Sequence, residues 1–556
     1  MINIKKFFQT VGLLIVLVVL INGCKKADFI INTQPDSITA STVDYKTVLP
    51  ASLVVTANIE DASPTNATLQ KYLGFWARSG SFQTDGEEET YQFGNDFRTD
   101  LWFNNYSNAN NYNFIQGKAK AAGAGIYEGI ARIMKVKNFQ MIVDVFGNAP
   151  YFQALRGTDF RTPKYDDDEE IYKDLLKQLD TALVLLKDPT LSSAANNPEI
   201  AKNDLVYQGN TTRWRQFANT LRLRLIIHTC NTSFAGNTET NSFVSSISQT
   251  AEMAKITADG AGFIAAGQSA KLNPGFDASK PNPFYVTYER TAAGALSGQF
   301  NFVKANAYAT GPNPTAPGQF GYYDYNGDPR KDRFYSLPLA AGSTVHRGIP
   351  YGLLSGNAAN NGDRLSGVNG PGIIPQGAAT PAWIFTSVES LFLQAEAARR
   401  GLLPVANTVS LYTAAVTESF VYLGLTAAQA NTYLTGNATY PDVDITNGSN
   451  GNGISPGIYT IISQKWFALN ALSTLEVYTD YRRTNMPYGI GSGYPQGPPI
   501  SVSPNKPASV TSIPIRLFYP QEEYQFNGAN VVAEGTINVF TAGGVSGRNR
   551  IFWDKN

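Results

Sequence analysis

Cysteine and histidine are both scarce in this chain of 556 residues. The two cysteines are Cys24 and Cys230, and the two histidines are His228 and His346. Because zinc sites in proteins draw on several such ligands, a metal centre built on imidazole or thiolate is nearly excluded. A calcium site made of oxygen ligands is compatible with this composition. We expect no cofactor.

An excess of charge of one sign is also lacking, since 44 lysine and arginine residues balance 44 aspartate and glutamate residues. Charged residues make up only 16% of the chain, whereas globular proteins contain about a quarter. A protein without a broad basic surface has little attraction for nucleic acid, so we expect no nucleic-acid partner.

Long apolar runs are lacking except for one near the N-terminus. This run covers residues 11–21 and follows Lys5 and Lys6. It is too short for a membrane-spanning helix, which needs about 20 apolar residues. A basic start followed by a short apolar run is typical of a secretory signal peptide. We therefore predict a signal peptide over residues 1–23.

The end of that run, Ile21-Asn22-Gly23-Cys24, is typical of a lipobox, in which the cysteine becomes the lipidated first residue of the mature protein. We predict that a lipid on Cys24 anchors the protein to the membrane and that residues 24–41 form a tether. Asp28 resembles the acidic residues that direct some lipoproteins to the cell surface. The expected location is the cell surface.

The rest of the chain, residues 42–556, alternates between helical patterns and irregular sequence. Apolar residues recur at helical spacing over about 42–260 and 382–486, which we predict to be a helical scaffold. Residues 261–381 and the tail 487–556 are rich in Gly and Pro and lose that spacing. An irregular segment as long as 261–381 is expected to be a functional subdomain or a set of packed loops.

The helical patterns come in pairs with short connections. They lie at about 108–145, 166–186, 212–229, 387–400, 407–423, 427–434 and 457–483. In the segment at 212–229, Trp214, Phe217 and Leu221 share one face and are expected to be buried. Paired helices of this kind indicate hairpins of the tetratricopeptide type, although no fixed repeat period is visible.

Short motifs are spread over most of the mature chain. They include Val143-Asp-Val-Phe-Gly-Asn-Ala-Pro-Tyr151, Arg213-Trp-Arg-Gln-Phe-Ala-Asn-Thr-Leu-Arg-Leu-Arg224, Asp328-Pro-Arg330, Ser390-Leu-Phe-Leu-Gln-Ala-Glu-Ala-Ala-Arg-Arg-Gly401, Asp480-Tyr-Arg-Arg483 and Pro514-Ile-Arg-Leu-Phe-Tyr-Pro520. In order and spacing they resemble the motifs of the SusD/RagB family of Bacteroidetes outer-membrane lipoproteins. The departures are Asn148, where the family usually has aspartate, and Ile515, where a second arginine often stands.

The resemblance implies a mainly α fold: a tetratricopeptide-like helix-hairpin superhelix with an irregular, loop-rich, ligand-facing layer. It also implies a non-catalytic cell-surface protein that captures a glycan or a peptide and delivers it to a SusC-like TonB-dependent transporter. One alternative is a lipid-anchored surface glycan hydrolase, which would use paired carboxylates. Another is a partner that gates a barrel without touching ligand. No Gly-x-Ser-x-Gly elbow is present, so Ser-His-Asp catalysis is poorly supported.

Two segments have the composition of a ligand platform, in which aromatic faces stand beside hydrogen-bonding groups. The first, Gln83 to Phe114, is predicted to be a loop system between helices, and the second runs from Tyr322 to Asp328. The candidate ligand-binding residues are Trp102, Asn104, Asn105, Tyr106, Tyr112, Tyr322, Tyr323 and Asp324. The alternative for these aromatic residues is burial in the core.

Several charged residues are expected to be structural. Arginines at 213, 215, 222 and 224 are expected to pair with acids rather than to bind an anionic ligand. Glu396 is expected to pair with Arg483 or Arg482. The acids at 166–170 are expected at a helix start rather than around a calcium ion. We expect His228 in a structural helix and His346 in a loop.

Overall fold

The computed structural model describes residues 43–230, 246–273, 275–312, 320–448, 456–484, 502–540 and 550–554, with the backbone alone of 233–235 and 238–240. The predicted signal peptide, Cys24 and the whole of the predicted tether lie outside the described residues. Among the residues that are described, no helix is both long and apolar enough to cross a membrane.

The described part of the chain is mainly helical. Its helices are α1 (Tyr45–Ala62), α2 (Pro64–Tyr72), α3 (Asp100–Ala122), α4 (Gly125–Phe146), α5 (Asp168–Lys187), α6 (Ile200–Asn203), α7 (Thr211–His228), α8 (Gln249–Asp259), α9 (Pro283–Tyr288), α10 (Gly298–Phe302), α11 (Ala307–Thr310), α12 (Tyr322–Tyr325), α13 (Lys331–Phe334), α14 (Ser387–Arg399), α15 (Thr408–Tyr422), α16 (Ala427–Gly436), α17 (Ile458–Leu469), α18 (Thr474–Thr484), α19 (Gln521–Phe526) and α20 (Gly528–Val532). Short 3₁₀ turns lie at Gly157–Asp159, Ala358–Asn360, Gly362–Arg364, Gly377–Ala379 and Val405–Asn407.

Short antiparallel ladders complete the secondary structure. The strands are β1 (Trp76–Arg78), β2 (Ala149–Pro150), β3 (Tyr165–Asp166), β4 (Ser233–Ala235), β5 (Thr238–Thr240), β6 (Ala270–Lys271), β7 (Val303–Ala305) and β8 (Trp383–Phe385). They pair as β1 with β7, β2 with β3, β4 with β5 and β6 with β8. Two of the pairs, β1–β7 and β6–β8, join segments far apart in sequence.

The helical scaffold consists of packed hairpins. In the N-terminal part, α3 packs on α4, α4 on α5, and α5 on α7. In the C-terminal part, α14 packs on α15 and α17, and α15 on α16. Helix α7 also contacts α14 and so joins the two parts. The predicted mainly α, tetratricopeptide-like fold is confirmed.

Two predicted helical segments are each divided in two. The pattern at 108–145 belongs to α3 and α4, which are separated where Gly123 adopts a left-handed backbone conformation with φ of 67°. Glycine adopts that conformation without the penalty that a Cβ atom imposes, so it ends helices readily. The pattern at 457–483 belongs to α17 and α18.

The prediction of a loop system over Gln83 to Phe114 is wrong in its second half. Helix α3 starts at Asp100 and covers the remainder of that segment. The asparagine-rich composition of residues 104–113 disfavours an isolated helix. Burial of one face of α3, which includes Leu101, Trp102, Asn105, Asn108, Ala109 and Tyr112, outweighs this weak local preference.

Helix α7 lies at the centre of the scaffold. Trp214, Phe217 and Leu221 are all fully buried, which confirms the prediction for this face. The indole nitrogen of Trp214 donates to Asp204 at 2.7 Å, so the polar group of this buried ring is satisfied. Packing of these three side chains ties α7 to its neighbours.

Three of the four predicted arginines of α7, at 215, 222 and 224, pair with acids, which confirms the prediction for them. Arg213 is exposed and pairs with no acid among the described residues; its guanidinium lies 5.9 Å from the centroid of the Tyr207 ring. Arg222 forms ion pairs with Asp180, at 2.5 Å, and with Glu252. Arg224 forms one with Glu389, also at 2.5 Å. Arg215 contacts Asp259 at 3.0 Å. Such pairs compensate for the cost of removing a guanidinium group from water.

The predicted ion pair of Glu396 and the predicted acidic helix start are also observed. Arg483 donates to both carboxylate oxygens of Glu396, at 2.7 and 2.6 Å. Asp167 caps α5 by accepting the backbone N–H groups of the next turn, and Asp168, Glu169 and Glu170 occupy that turn. The helix dipole favours negative charge at this position.

The described residues between 261 and 381 form a packed layer rather than a single long loop. This irregular layer contains α9 to α13 and the strands β6 and β7. The β1–β7 ladder fastens it to the N-terminal scaffold, and the β6–β8 ladder fastens it to the start of α14. Backbone pairing of this kind holds irregular segments at defined positions on the helical body.

Candidate functional site

Most of the residues predicted in the first ligand segment are not available to a ligand. Trp102 is 2% exposed, and Tyr112 is fully buried with its hydroxyl 2.8 Å from that of Thr56. Asn105 is buried and donates to the Leu101 carbonyl at 2.7 Å. Tyr106 is half-buried and donates to the Pro150 carbonyl at 2.7 Å. These side chains belong to the core because one face of α3 packs against the scaffold.

Asn104 is the exception in this segment. Its side chain is exposed on α3 and makes no hydrogen bond to any described residue. It lines a groove of about 520 Å³ that also receives residues from α1 and α9. Of the five predicted residues in α3, Asn104 therefore remains accessible to a ligand.

The second predicted segment is also part of the core. Tyr322 stacks on Tyr308 with ring centroids 5.4 Å apart, and Tyr323 donates its hydroxyl proton to the Phe467 carbonyl at 2.8 Å. Asp324 is ion-paired with Lys331. The two tyrosines are buried because the short helix α12 packs on α17, so they cannot form an exposed platform.

His346 lies in a loop, as expected, beside a cavity of about 440 Å³. Its Nδ1 is 3.1 Å from Ser366 Oγ and its Nε2 is 3.2 Å from Asp332 Oδ1. Ser366 is fully buried and accepts the Arg347 N–H, whereas the Asp332 side chain is 66% exposed. A Ser-His-Asp hydrolase needs the reverse, with the serine facing substrate and the aspartate buried.

An exposed aromatic surface lies at one end of the β1–β7 ladder. Arg78 at the end of β1 pairs with Val303 at the start of β7. Phe82 follows β1 and Phe302 directly precedes β7, so antiparallel pairing brings both rings to the same end of the ladder. Their ring centroids are 5.1 Å apart at an interplanar angle of 69°. Phe82 remains 37% exposed.

Hydrogen bonds hold the segments around these rings. The buried guanidinium of Arg78 donates to the carbonyl oxygens of Phe82 and Leu353, and its Nε donates to Glu89 at 2.7 Å. The Gly362 N–H donates to Ser81 Oγ at 3.0 Å. A weaker contact joins Ser355 Oγ to Gln83 Oε1 at 3.4 Å. We name this region the Phe82 surface; it comprises Ser81, Phe82, Gln83, Phe302, Leu354 and Ser355.

The charges beneath the Phe82 surface neutralise one another. Glu88 lies 2.6 Å from Lys71 and 2.9 Å from Arg98. Burial alone would raise the pKa of Glu88, but these two cations outweigh burial and hold the pKa at about 2. The Lys71 ammonium also lies 5.4 Å from the centroid of the Phe302 ring. This carboxylate is committed to structure and is not free for acid–base chemistry.

The arrangement is suited to binding a ligand that has an apolar face and a hydroxylated edge. The Phe82 ring offers a hydrophobic contact area, while Gln83, Ser81 and Ser355 offer donors and acceptors around it. Because hydrogen bonds already hold these segments in place, little conformational freedom would be lost on binding. Within the described residues, no group of three or more His, Cys, Asp or Glu side chains could hold a metal ion.

Sequence analysis did not identify the two rings of this surface. Gln83 lies in the first predicted ligand segment, but Phe82 precedes it by one residue. Phe302, Leu354 and Ser355 lie in the irregular layer, far away in sequence. An aromatic residue among small polar residues, as in Ser79-Gly-Ser-Phe-Gln83, is the local signal that could have indicated Phe82.

Comparisons with known protein families match both halves of the chain. Residues 38–296 match a family described as "Starch-binding associating with outer membrane", SusD-like. Residues 321–554 match the family described as "Susd and RagB outer membrane lipoprotein". Comparison with curated protein sequences yields no match.

Solved structures share the fold over nearly the whole chain. A chitin-binding SusD homolog from Flavobacterium johnsoniae is 20% identical, with a TM-score of 0.65 over 91% of this chain and 99% of its own. A SusD homolog from Parabacteroides distasonis is 21% identical, with a TM-score of 0.65 over 92% and 97%. A SusD-like protein from Bacteroides thetaiotaomicron is 18% identical, with a TM-score of 0.64 over 92% and 99%.

The family matches and the shared fold agree with the motifs read from the sequence, from Val143-Asp-Val-Phe-Gly near the end of α4 to Pro514-Ile-Arg-Leu near the C-terminus. On this evidence the chain belongs to the SusD-like family, which includes the SusD and RagB outer-membrane lipoproteins.

Proposed function

We propose that this protein is a non-catalytic, lipid-anchored glycan-binding protein of the cell surface. The observation that carries the proposal is the Phe82 surface, in which an exposed ring and hydrogen-bonding side chains are held in place before a ligand arrives. The family descriptions, which name starch binding and the outer membrane, support the same class of ligand and the same location. The similar fold of a chitin-binding homolog further favours a glycan over a peptide.

The captured oligosaccharide would pass to a SusC-like TonB-dependent transporter in the same membrane. The basis for this step is membership of the SusD-like family, together with the predicted lipid on Cys24, which would keep the protein at the membrane surface. Co-purification of such a barrel with the lipidated protein from the native outer membrane would support this partnership. Isolation of the lipidated protein without any barrel, under conditions that preserve other outer-membrane complexes, would contradict it.

A surface glycan hydrolase is the alternative. Two carboxylates beneath the Phe82 surface, Glu88 and Glu89, are buried in ion pairs with Lys71 and Arg78 and are committed to structure. A glycosidase needs two carboxyl groups facing one glycosidic bond. Prolonged incubation with the bound oligosaccharide is expected to release no new reducing ends.

The test of the proposal is a titration of the mature protein against a panel of oligosaccharides that includes chito- and malto-oligosaccharides. We expect Phe82→Ala to weaken binding by about 1 kcal/mol, or roughly fivefold, because one ring contact is lost. The matched control is Phe152→Ala. Phe152 is also exposed and also packs edge-on against a neighbouring ring, that of Tyr151 at 5.0 Å, but it lies elsewhere.

The two variants together decide the outcome. Loss of affinity in Phe82→Ala but not in Phe152→Ala supports the Phe82 surface as the ligand site. Equal affinity of both variants for a glycan that the wild-type protein binds would move the site elsewhere on the molecule. If no oligosaccharide in the panel binds but a peptide binds at the same surface, the ligand is a peptide and not a glycan.

A further inference from the structure

Lys304 is a buried lysine directly beside the Phe82 surface. It lies in β7 two residues after Phe302, so the two side chains share one face of the strand and emerge about 7 Å apart. The Lys304 side chain is 1% exposed, and its ammonium group makes no hydrogen bond or ion pair with a described residue. Nζ lies 4.0 Å from the centroid of the Phe300 ring. Buried charges in proteins are normally paired, so this ammonium group lacks a counter-ion among the described residues.

The segment that covers Lys304 connects it to the hydrogen-bonding edge of the Phe82 surface. Gly362 lies against Lys304, because a Cβ atom at this glycine would be 3.4 Å from Lys304 Cε. The Gly362 N–H donates to Ser81 Oγ, which belongs to the Phe82 surface, at 3.0 Å. The ammonium group itself retains contact with solvent, in contrast to fully buried atoms without a partner such as Trp383 Nε1. A ligand on the Phe82 surface can therefore approach Lys304 along Ser81 and Gly362.

Two arginines add positive charge at the same edge. Arg347 donates to two backbone carbonyl oxygens and to Asn360 Oδ1, so its hydrogen-bond partners are neutral. Arg364 ends the 3₁₀ turn that starts at Gly362; it is exposed and forms no ion pair within the described part of the chain. Burial lowers the pKa of Arg347, and the positive charge of Arg364 lowers it further, so the two guanidinium groups are near each other.

The acid in this turn does not cancel that charge. Asp363 is exposed and forms no ion pair with Lys304, Arg347 or Arg364. Burial lowers the pKa of Lys304 to about 8, and the negative charge of Asp363 opposes this effect only in part. Three cations beside one acid leave this edge of the Phe82 surface positive. We name the three cations, Lys304, Arg347 and Arg364, the cationic edge.

We propose that the Phe82 surface selects an anionic oligosaccharide, whose carboxylate or sulfate group binds Lys304 at the cationic edge. This inference rests on the proposed glycan-binding function and names the class of glycan. The Phe82 ring contacts the apolar face of a sugar, and the anionic oxygens accept hydrogen bonds from the Lys304 ammonium group. The anion also supplies the counter-ion that the buried ammonium group lacks, while Arg347 and Arg364 attract it through their charge.

The test is isothermal titration of the full mature protein with tetragalacturonate, with a sulfated carrageenan tetrasaccharide and with neutral maltotetraose. We expect an anionic tetrasaccharide to bind more tightly than the neutral one, and added salt to reduce the difference because salt screens charge. Lys304→Met removes the charge and keeps the length of the side chain. It is expected to weaken binding of the anionic ligand about tenfold, as for a lost charge-assisted hydrogen bond, and to leave binding of the neutral ligand unchanged.

Arg364→Gln is the second variant, because an exposed position can lose its charge without disturbing the fold. We expect it to weaken binding of the anionic ligand about threefold. Lys118→Met is the matched control, since Lys118 also lies over a phenyl ring, that of Phe114 at 5.7 Å, but on α3. It should bind all three ligands as the wild-type protein does. Thermal melting of each variant checks that it is folded.

The outcomes separate this inference from the glycan-binding function itself. Preference for tetragalacturonate indicates a carboxylate ligand, preference for the carrageenan indicates a sulfate ligand, and both support the inference. Equal affinity of the wild-type protein for anionic and neutral ligands would overturn it, and so would unchanged anionic affinity in both Lys304→Met and Arg364→Gln. If Phe82→Ala still weakens glycan binding in that case, the glycan-binding function stands. If Phe82→Ala has no effect on any ligand, both the inference and the ligand site at the Phe82 surface are wrong.

Discussion

Helix α3 and the Phe82 surface have a similar composition, with aromatic residues among asparagine, glutamine or serine, but the structure uses them in opposite ways. In α3 the rings of Trp102 and Tyr112 face the scaffold, and the asparagine between them, Asn105, is buried with them. After β1, Phe82 is left 37% exposed while its backbone is held by Arg78. The comparison teaches that burial follows from the packing of the surrounding element and not from the local composition.

The largest effect expected from this comparison is on stability. Trp102→Ala should lower the free energy of unfolding by about 3–5 kcal/mol, because it leaves a cavity among packed rings. Phe82→Ala should change it by no more than about 0.5 kcal/mol, as is typical of an exposed site. Urea denaturation of both variants measures the two values. A mild effect of Trp102→Ala would mean that its ring is not part of the core.

Buried charge in the scaffold should make the free energy of unfolding depend on pH. His228 lies fully buried, with Nε2 2.9 Å from Glu476 and Nδ1 3.3 Å from Asp144 and 3.1 Å from the Tyr172 hydroxyl. Burial alone would lower the pKa of His228, but the carboxylates of Glu476 and Asp144 outweigh burial and raise the pKa to about 9. The imidazolium is therefore favoured in the folded protein.

The pKa of His228 is higher in the folded protein than its unfolded value of about 6.5, so protonation of His228 stabilises the folded state. This contribution to the free energy of unfolding is fully present below pH 6.5 and is lost as the pH rises through about 9. The wild-type protein should thus be more stable than His228→Gln by a few kcal/mol at pH 6, and the difference should shrink towards pH 9.5. Urea denaturation of both proteins across that range measures it. A difference that stays constant with pH would show that His228 is neutral in the folded protein.

The smallest expected effect concerns the second predicted segment. Tyr323→Phe removes the hydroxyl that donates to the Phe467 carbonyl and leaves the ring in place. The expected loss is about 1 kcal/mol of unfolding free energy, with oligosaccharide affinity unchanged. A clear loss of oligosaccharide affinity, without a change in the melting curve, would show that Tyr323 contacts the ligand and would contradict its place in the core.

The anchor can be tested separately from the fold. Cys24→Ser is expected to prevent lipid attachment and to release the protein from the membrane fraction after a carbonate wash, since each buried methylene of a lipid chain contributes about 0.8 kcal/mol. Retention of the variant in the membrane fraction to the same extent as the wild-type protein would contradict the predicted lipobox.

Periodic features were predicted well because they depend on local spacing. The apolar face of α7 at Trp214, Phe217 and Leu221 follows directly from 3.6 residues per turn. The pairing of Glu396 with an arginine of the Asp480-Tyr-Arg-Arg483 motif was also predicted, because a carboxylate in an apolar helix requires a cation. The start of α3 was missed because its asparagines weaken the helical signal and only burial restores it.

The amino-acid sequence by itself determined the helical scaffold, the family and the predicted lipobox at Cys24, since each of these is written in contiguous residues or in motifs of fixed order. Only the tertiary structure decided which aromatic residues reach solvent. The pairing of β1 with β7 brings Phe82 and Phe302 together, and the packing of α3 on the scaffold buries Trp102 and Tyr112. Such juxtapositions depend on long-range packing, which local periodicity does not encode.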